Sequence, residues 1–312
     1  MNDFNGAYDA KYYGAARLLP PHRRADALAL PPAEQCVAEE LRLRVGFPVC
    51  AVLPDGERAL GGTEVTPREL DTVVEIATAA SAHSVRETVR AGYINAAGGY
   101  RIGLCGETAT DSSGVMGFRA LSSVAVRIPR EVTGIARRAV SAVLATADDA
   151  RGGIGSVLII SPPGAGKTTL LRDLVRLVSD GAVELGIAPS RVGLADERGE
   201  IAAVSGGVPQ MNIGCRTDVL SACPKAAAAM MLLRAMNPET LALDEITAPE
   251  DVAAVERAAN CGVRLFATVH AFSVEELMKK PLYAALLCGG IFEAAVIIKK
   301  TGGQRIYEAA RL

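Results

Sequence analysis

Lys167, Thr168 and Thr169 follow the stretch Ser161-Pro162-Pro163-Gly164-Ala165-Gly166, which itself follows the apolar run Val157 to Ile160. Glycines in a loop between a strand and a helix let several backbone N–H groups approach one small volume. A lysine and a hydroxyl at the start of the helix complete a site for a polyphosphate. In such a loop Lys167 meets the outer phosphates as a point charge and Thr168 offers an oxygen ligand to Mg2+. Ser161, Pro162, Gly164, Ala165, Gly166 and Thr169 line the rest. The G-x-x-x-x-G-K-[ST] pattern has Ser161 where its first glycine belongs, so context has to carry the reading. An apolar strand precedes the loop, and Leu170, Leu171, Leu174, Val175 and Val178 follow it at helical spacing.

Such a loop needs a carboxylate on a neighbouring strand, and MNPETLALDEIT supplies Asp244 and Glu245 at the end of an apolar run. Asp244 is expected to hold Mg2+ through water. Glu245 is placed to orient or deprotonate the water that attacks a phosphoanhydride. The competing reading makes the two carboxylates a cap for a helix starting near Pro249. No N-K-x-D guanine-recognition pattern occurs, and by the habits of phosphate-loop proteins this favours ATP over GTP.

The elements that must position these groups follow from rhythm. Apolar runs at SVLIIS, RVGLADE, TLALDEI, VRLFATVH and AAVIIKK alternate with helical stretches, as in a mainly parallel sheet wrapped by helices. Upstream, ELRLRVGFPVCAVL reads as a strand pair joined at Gly46 and Pro48. Thr66-Pro67 with Glu69 opens a helix in the capping-box manner, SVRETVRAGY reads as a second helix, and INAAGG onward reads as short antiparallel strands. The small-residue stretch DARGGIGS is the expected boundary, giving an N-terminal extension over 1–35, a smaller α+β domain over 36–148 and an α/β domain over 149–312. AVSGGVPQMNIGCRTDVL lacks periodicity and is expected to be a functional loop, with Arg216 and Asp218 facing a neighbouring subunit. KAAAAMMLLRAM reads as a helix packed closely on the sheet.

Composition narrows the function. Half of the 312 residues are hydrophobic, enough for two cores, and a net charge of -2 offers no global attraction to a nucleic-acid backbone. No nucleic-acid partner is therefore expected, and aromatic residues at 4% speak against a base-stacking platform. Seven scattered cysteines without a C-x-x-C pair suit reduced thiols in the cytoplasm. No apolar run reaches the roughly 18 to 20 residues of a spanning helix, so a soluble or peripherally attached protein is expected.

ELRLRVG, GGYRIGLCGE, SSVAVRIPRE, SPPGAGKTTLLRDL, LADERGEIA, RTDVLSACPKA, LRAMNPETLALDEI and ATVHA occur in that order from about Glu40 onward. Together they resemble the stage III sporulation protein AA family, a branch of the type II and type IV secretion ATPases. The resemblance implies a C-terminal RecA-like P-loop ATPase domain behind an α+β N-terminal domain. It also implies ATP and Mg2+ held between the two, and a ring, expected as a homohexamer, that powers a membrane-embedded channel or secretion component. The protein would then be cytoplasmic and held peripherally at the membrane through that partner, on the mother-cell side of a channel to the forespore. The family's acidic box corresponds to Asp196, Glu197 and Glu200, with Glu197 preferred over Glu200 for positioning water or Mg2+. A salt-linked loop around Arg198 is the alternative. Its histidine box corresponds to Thr268 and His270, His270 either donating to the terminal phosphate or resting on a backbone carbonyl. Its N-terminal-domain arginines correspond to Arg101, Arg119 and above all Arg127, aimed at charge growing on the transferred phosphoryl group.

Two other functions compete. A nucleic-acid-associated P-loop ATPase has precedent in related plastid and plant proteins, but the R-x-x-x-H spacing of their binding module is absent here. A nucleotide-binding scaffold without turnover fits poorly with Lys167, Thr168, Asp244 and Glu245 all in place.

Overall fold

The computed structural model describes residues 3–78, 92–112, 114–129, 131–146, 153–301 and 304–312. Two compact units divide the chain: Met1–Arg130 with Ala203–Gln210, and Glu131–Ala202 with Met211–Leu312.

The first unit opens with helices α1 (Asp3–Arg17), α2 (Arg24–Leu28) and α3 (Pro32–Gln35), followed by strands β1 (Glu40–Arg44), β2 (Pro48–Leu53) and β3 (Gly56–Glu64). Helix α4 (Pro67–Thr78) and strands β4 (Tyr93–Ala96), β5 (Tyr100–Asp111) and β6 (Gly114–Arg127) complete it. Among the described residues these strands make one antiparallel sheet of order β3-β2-β1-β6-β5-β4. Alternation in β1 and β2 puts Leu41, Leu43, Val49 and Ala51 into the core and leaves the intervening residues on the other face. Tyr12, Ala15, Ala16, Leu19, Ala27 and Leu30 join that core, so the expected N-terminal extension is part of the unit. The strands expected to be short are long: β5 and β6 run 12 and 14 residues. The helix expected over SVRETVRAGY lies outside the described residues except for its end, where Tyr93 opens β4.

The cap expected at Thr66 forms from one side. The Glu69 carboxylate accepts the Thr66 N–H at 2.7 Å and its hydroxyl at 3.0 Å. The same carboxylate is buried against Arg23, whose Nε lies 2.6 Å from it, and against His22 Nε2 at 2.6 Å. Arg23 also donates to the carbonyls of Thr63 and Glu64. One acid thus joins the α1–α2 connection, the end of β3 and the start of α4. The Arg23 guanidinium holds the Glu69 carboxyl down at about 2, assisted by Thr66 and His22.

The second unit carries α5 (Ile135–Thr146), β7 (Val157–Ser161), α6 (Lys167–Asp180), β8 (Val192–Asp196), β9 (Thr217–Ser221) and α7 (Lys225–Ala235). It continues with β10 (Thr240–Leu243), α8 (Pro249–Asn260), β11 (Arg264–His270), α9 (Val274–Met278), α10 (Pro281–Cys288), β12 (Ala294–Thr301) and β13 (Gln304–Arg311). Their sheet has the order β13-β12-β7-β11-β10-β8-β9. All neighbours run parallel except the β12–β13 hairpin. β7, β8 and β10 are buried at every residue, as strands covered on both faces must be. One face meets Ala228, Ala229 and Leu232 of α7 and Val252, Val255 and Ala258 of α8. Helices α5 and α6 pack on each other and reach β7, β8, β11, β12 and β13.

All five strands read from apolar runs are present. Two further strands were not expected. β9 occupies the end of the stretch read as a functional loop, which pairs with β8 from Thr217 on. β13 is charged and largely exposed. The units part after Arg130, upstream of the boundary expected at 148, because α5 packs on α6, β12 and β13. Residues 149–152 of the glycine-rich stretch lie outside the described residues.

Breaking the Arg23–Glu69 pair by Glu69→Gln leaves a buried guanidinium short of its countercharge and should cost about 3 kcal/mol in denaturant unfolding. Because the folded carboxyl titrates below its ordinary value, this stabilisation is full above about pH 4.5 and is lost as pH falls toward 2. Wild-type unfolding followed down that range should therefore converge on the variant's.

Candidate functional site

β7 delivers the chain to the phosphate loop and α6 takes it away. The positions in the loop that require a left-handed backbone are Gly164 at φ 72° and Gly166 at φ 103°. Ser161, standing where the pattern's first glycine belongs, is buried strand paired with His270, so its backbone needs no glycine. Lys167 begins α6 and is buried, with Nζ 3.7 Å from Glu245 Oε2. From the β12–β13 hairpin, Arg305 Nε donates to the Ala165 carbonyl at 2.9 Å. A Cβ on Gly166 would come within 3.0 Å of that nitrogen.

Asp244 and Glu245 follow β10 directly. Thr168 Oγ1 donates to Asp244 Oδ2 at 3.2 Å, and Thr268 Oγ1 donates to Asp244 Oδ1 at 2.8 Å. The same Thr268 oxygen accepts the Glu245 N–H at 2.8 Å. Glu245 itself sits at φ 46°, a left-handed conformation that costs a non-glycine residue about 1 kcal/mol. Its carboxylate faces His270 Nε2 at 3.4 Å and Arg198 Nη1 at 3.5 Å besides Lys167. His270 Nδ1–H donates to the Ser161 carbonyl at 3.3 Å, the backbone rest weighed for this ring, while Nε2 faces the Glu245 carboxylate. The helix cap weighed for Asp244 and Glu245 belongs to Asp251 instead, whose carboxylate accepts the Thr247 and Ala248 N–H groups at 2.9 and 3.0 Å.

The three carboxylates of the acidic box part ways. Asp196 is buried and accepts the N–H groups of Glu200, Ile201 and Ala202; burial pushes its carboxyl pKa up, and those amides pull it back. It shapes the loop. Arg172 fixes the same turn by donating to the Glu200 and Ile201 carbonyls, both at 2.6 Å. Glu197 stands at the carboxyl end of β8 with Oε2 3.2 Å from Lys225 Nζ. Arg198 Nη1 has Glu245 Oε2 at 3.5 Å, a partner outside the acidic box. Arg216 donates to the Ser179 carbonyl at 3.3 Å, and Asp218 lies on β9.

Arg101, Arg119 and Arg127 belong to the first unit. Arg127 Nε lies 3.2 Å from Glu40 Oε1 on the adjacent strand, the Arg101 guanidinium lies 4.0 Å from the Tyr93 ring centre, and Arg119 is exposed on β6. Lys225, Asp251, Tyr283 and Arg305 also reach this site. Of these, Lys225 opens a mostly apolar helix and Asp251 follows Pro249 in the first turn of α8, the sequence signals that could have found them. Among the described residues no group of three or more His, Cys, Asp and Glu could hold a metal unaided. The hydroxyl of Thr168 beside the Asp244 carboxylate is the hard-oxygen pair that suits Mg2+ shared with phosphates.

Four adjacent parallel strands, β8, β10, β11 and β7, thus present Glu197, the Asp244–Glu245 pair, His270 and the lysine-bearing loop at one end of the sheet, which defines a RecA-like P-loop fold. Residues 31–308 match the family described as sporulation stage III, protein AA, and the chain belongs to that family. It is 35% identical over 266 residues to the stage III sporulation protein AA of Bacillus subtilis, covering 85% of this chain and 84% of that one. Among solved structures it resembles the pilus retraction motor PilT with bound ADP, at TM-score 0.59 and 15% identity over 88% of this chain and 79% of that one. The Yersinia pseudotuberculosis ATPase DotB is similar at TM-score 0.57 and 17% identity, over 94% and 79%. At 15 and 17% identity these are likenesses of fold. No described helix is long and apolar enough to cross a membrane.

Thr268→Val keeps the shape of a buried side chain while removing the oxygen that joins Asp244 to the Glu245 N–H. A loss of about 1–3 kcal/mol is expected in chemical denaturation at unchanged m-value.

Proposed function

We propose that the protein is an ATP-hydrolysing motor of a secretion-like complex. The observation that carries this reading is the convergence of Lys167, the Thr168–Asp244 pair and the Glu245 carboxylate at the carboxyl ends of adjacent strands. The loop amides and Lys167 bind the phosphates of ATP. Thr168 and Asp244 would hold Mg2+, which supplies charge neutralisation between the phosphate groups. Glu245 orients a water molecule for attack on the terminal phosphorus. The bridging P–O bond breaks as the new one forms, ADP leaves with the electron pair, and Glu245 takes the proton released by the water. His270 holds one edge of the Glu245 carboxylate and in this reading donates to the terminal phosphate. Arg127 answers the charge growing on the transferred group, and Glu197, expected from its family box to serve the water or metal, has its carboxylate 3.2 Å from Lys225 Nζ.

Family membership supports the wider setting: a ring, taken as a homohexamer, cytoplasmic and held at the membrane through a channel component.

Turnover of Mg-ATP by wild type, Lys167→Ala and Glu245→Gln tests the reading. Lys167→Ala should lose binding and hydrolysis together, whereas Glu245→Gln should bind ATP with hydrolysis lowered by about a hundredfold or more. Equal turnover in all three proteins would overturn it.

A further inference from the structure

Lys225 stands where elementary considerations would not put a lysine. It is the first residue of α7, where the positive end of the helix disfavours a cation, and it is buried, which lysine rarely is without full compensation. An ammonium group has three N–H donors, and Lys225 Nζ has three oxygen neighbours. They are the Glu245 carbonyl at 2.9 Å, Glu197 Oε2 at 3.2 Å and Asp251 Oδ2 at 3.6 Å. The first is the carbonyl of the residue with the left-handed backbone, the second belongs to the acidic box, and the third caps α8.

We infer that Lys225 is a positioning residue for hydrolysis, one that holds the Glu245 peptide in its left-handed turn and so fixes where the Glu245 carboxylate points. The inference rests on the proposed role of Glu245. A left-handed glutamate persists only where its surroundings over-determine it. The Glu245 N–H is taken by Thr268, and the next residue is held on both sides, Ile246 N–H by the Thr268 carbonyl and its carbonyl by Tyr283 Oη at 2.9 Å. The Glu245 carbonyl is held by Lys225. Without that donor the peptide after Glu245 is held by its Ile246 N–H alone, the left-handed turn is less fully determined, and the carboxylate shifts from its place between Lys167 and His270. Glu197, sharing the same ammonium, is by this account a second support for the turn, acting through Lys225 and not on the phosphates.

The test uses the full chain with Lys225→Met, which keeps the unbranched stem and removes the ammonium. Turnover per nucleotide-binding site, with sites counted by calorimetric titration of a non-hydrolysable ATP analogue and Mg2+, should fall roughly ten- to a hundredfold, while analogue affinity stays within about threefold. A lysine that only supports folding would lower the number of binding sites and leave turnover per site unchanged, and that result overturns the inference. Adding Glu197→Gln to Lys225→Met should cost little more, because the two act as a unit; full multiplication of the separate effects also overturns it. Failure of the underlying reading shows elsewhere, as equal turnover of wild type and Glu245→Gln. In that event a crystal structure of Lys225→Met still decides: Glu245 should leave the left-handed region, and its retention there at wild-type geometry counts against Lys225.

Discussion

The second unit depends on one short turn, Asp244 to Ala248, in which the backbone departs from β10 through a left-handed glutamate. A backbone of that kind is unfavourable alone, and here side chains from β11, α7, α8 and α10 engage it. Thr268 takes one N–H, Lys225 and Tyr283 hold two successive carbonyls, and Asp251 closes the last two amides. The turn is therefore set by the packed elements around it, which are buried, and not by its own sequence preference. Rigid support of this kind is what a carboxylate needs if it is to hold a water molecule in one place.

Much of this unit was legible because its signals are local. Buried parallel strands announce themselves as apolar runs, and glycine at 164 and 166 marks the two left-handed positions in the phosphate loop. The missing glycine at 161 mattered less than the pattern suggested, since Ser161 is the last residue of a strand. β13 escaped because its burial is slight and its residues are charged, and β9 because a five-residue strand beside a loop has little periodicity to show. The boundary moved because α5, amphipathic either way, declares its partner only through tertiary packing.

Site residues divide along the same line. Lys167, Thr168, Asp244 and Glu245 were readable from strand ends and loop chemistry, and His270 entered through the family resemblance. The separate fates of Asp196 and Glu197 were not, because neighbouring carboxylates on a strand face opposite sides and sequence cannot say which side holds amides. Lys225, Tyr283 and Arg305 come from segments distant in sequence, with no spacing rule linking them to the Asp-Glu pair, whereas Asp251 lies six residues after Glu245 in the first turn of α8. Arg23 and Glu69 in the first unit are of the same kind: the cap at Thr66 was visible, its arginine partner was not.

The arm Ala203–Gln210 groups with the first unit although it is encoded far downstream, and Gln210 there accepts the N–H of Gly98. A ribosome releases the chain from its amino end, so the earlier unit emerges before the piece that completes it. Its maturation must await synthesis of the intervening segment 131–202 of the second unit. A gene truncated at codon 130 would accordingly encode a product lacking its own finishing segment, and supplying residues 203–210 as a separate peptide would be the means to restore it.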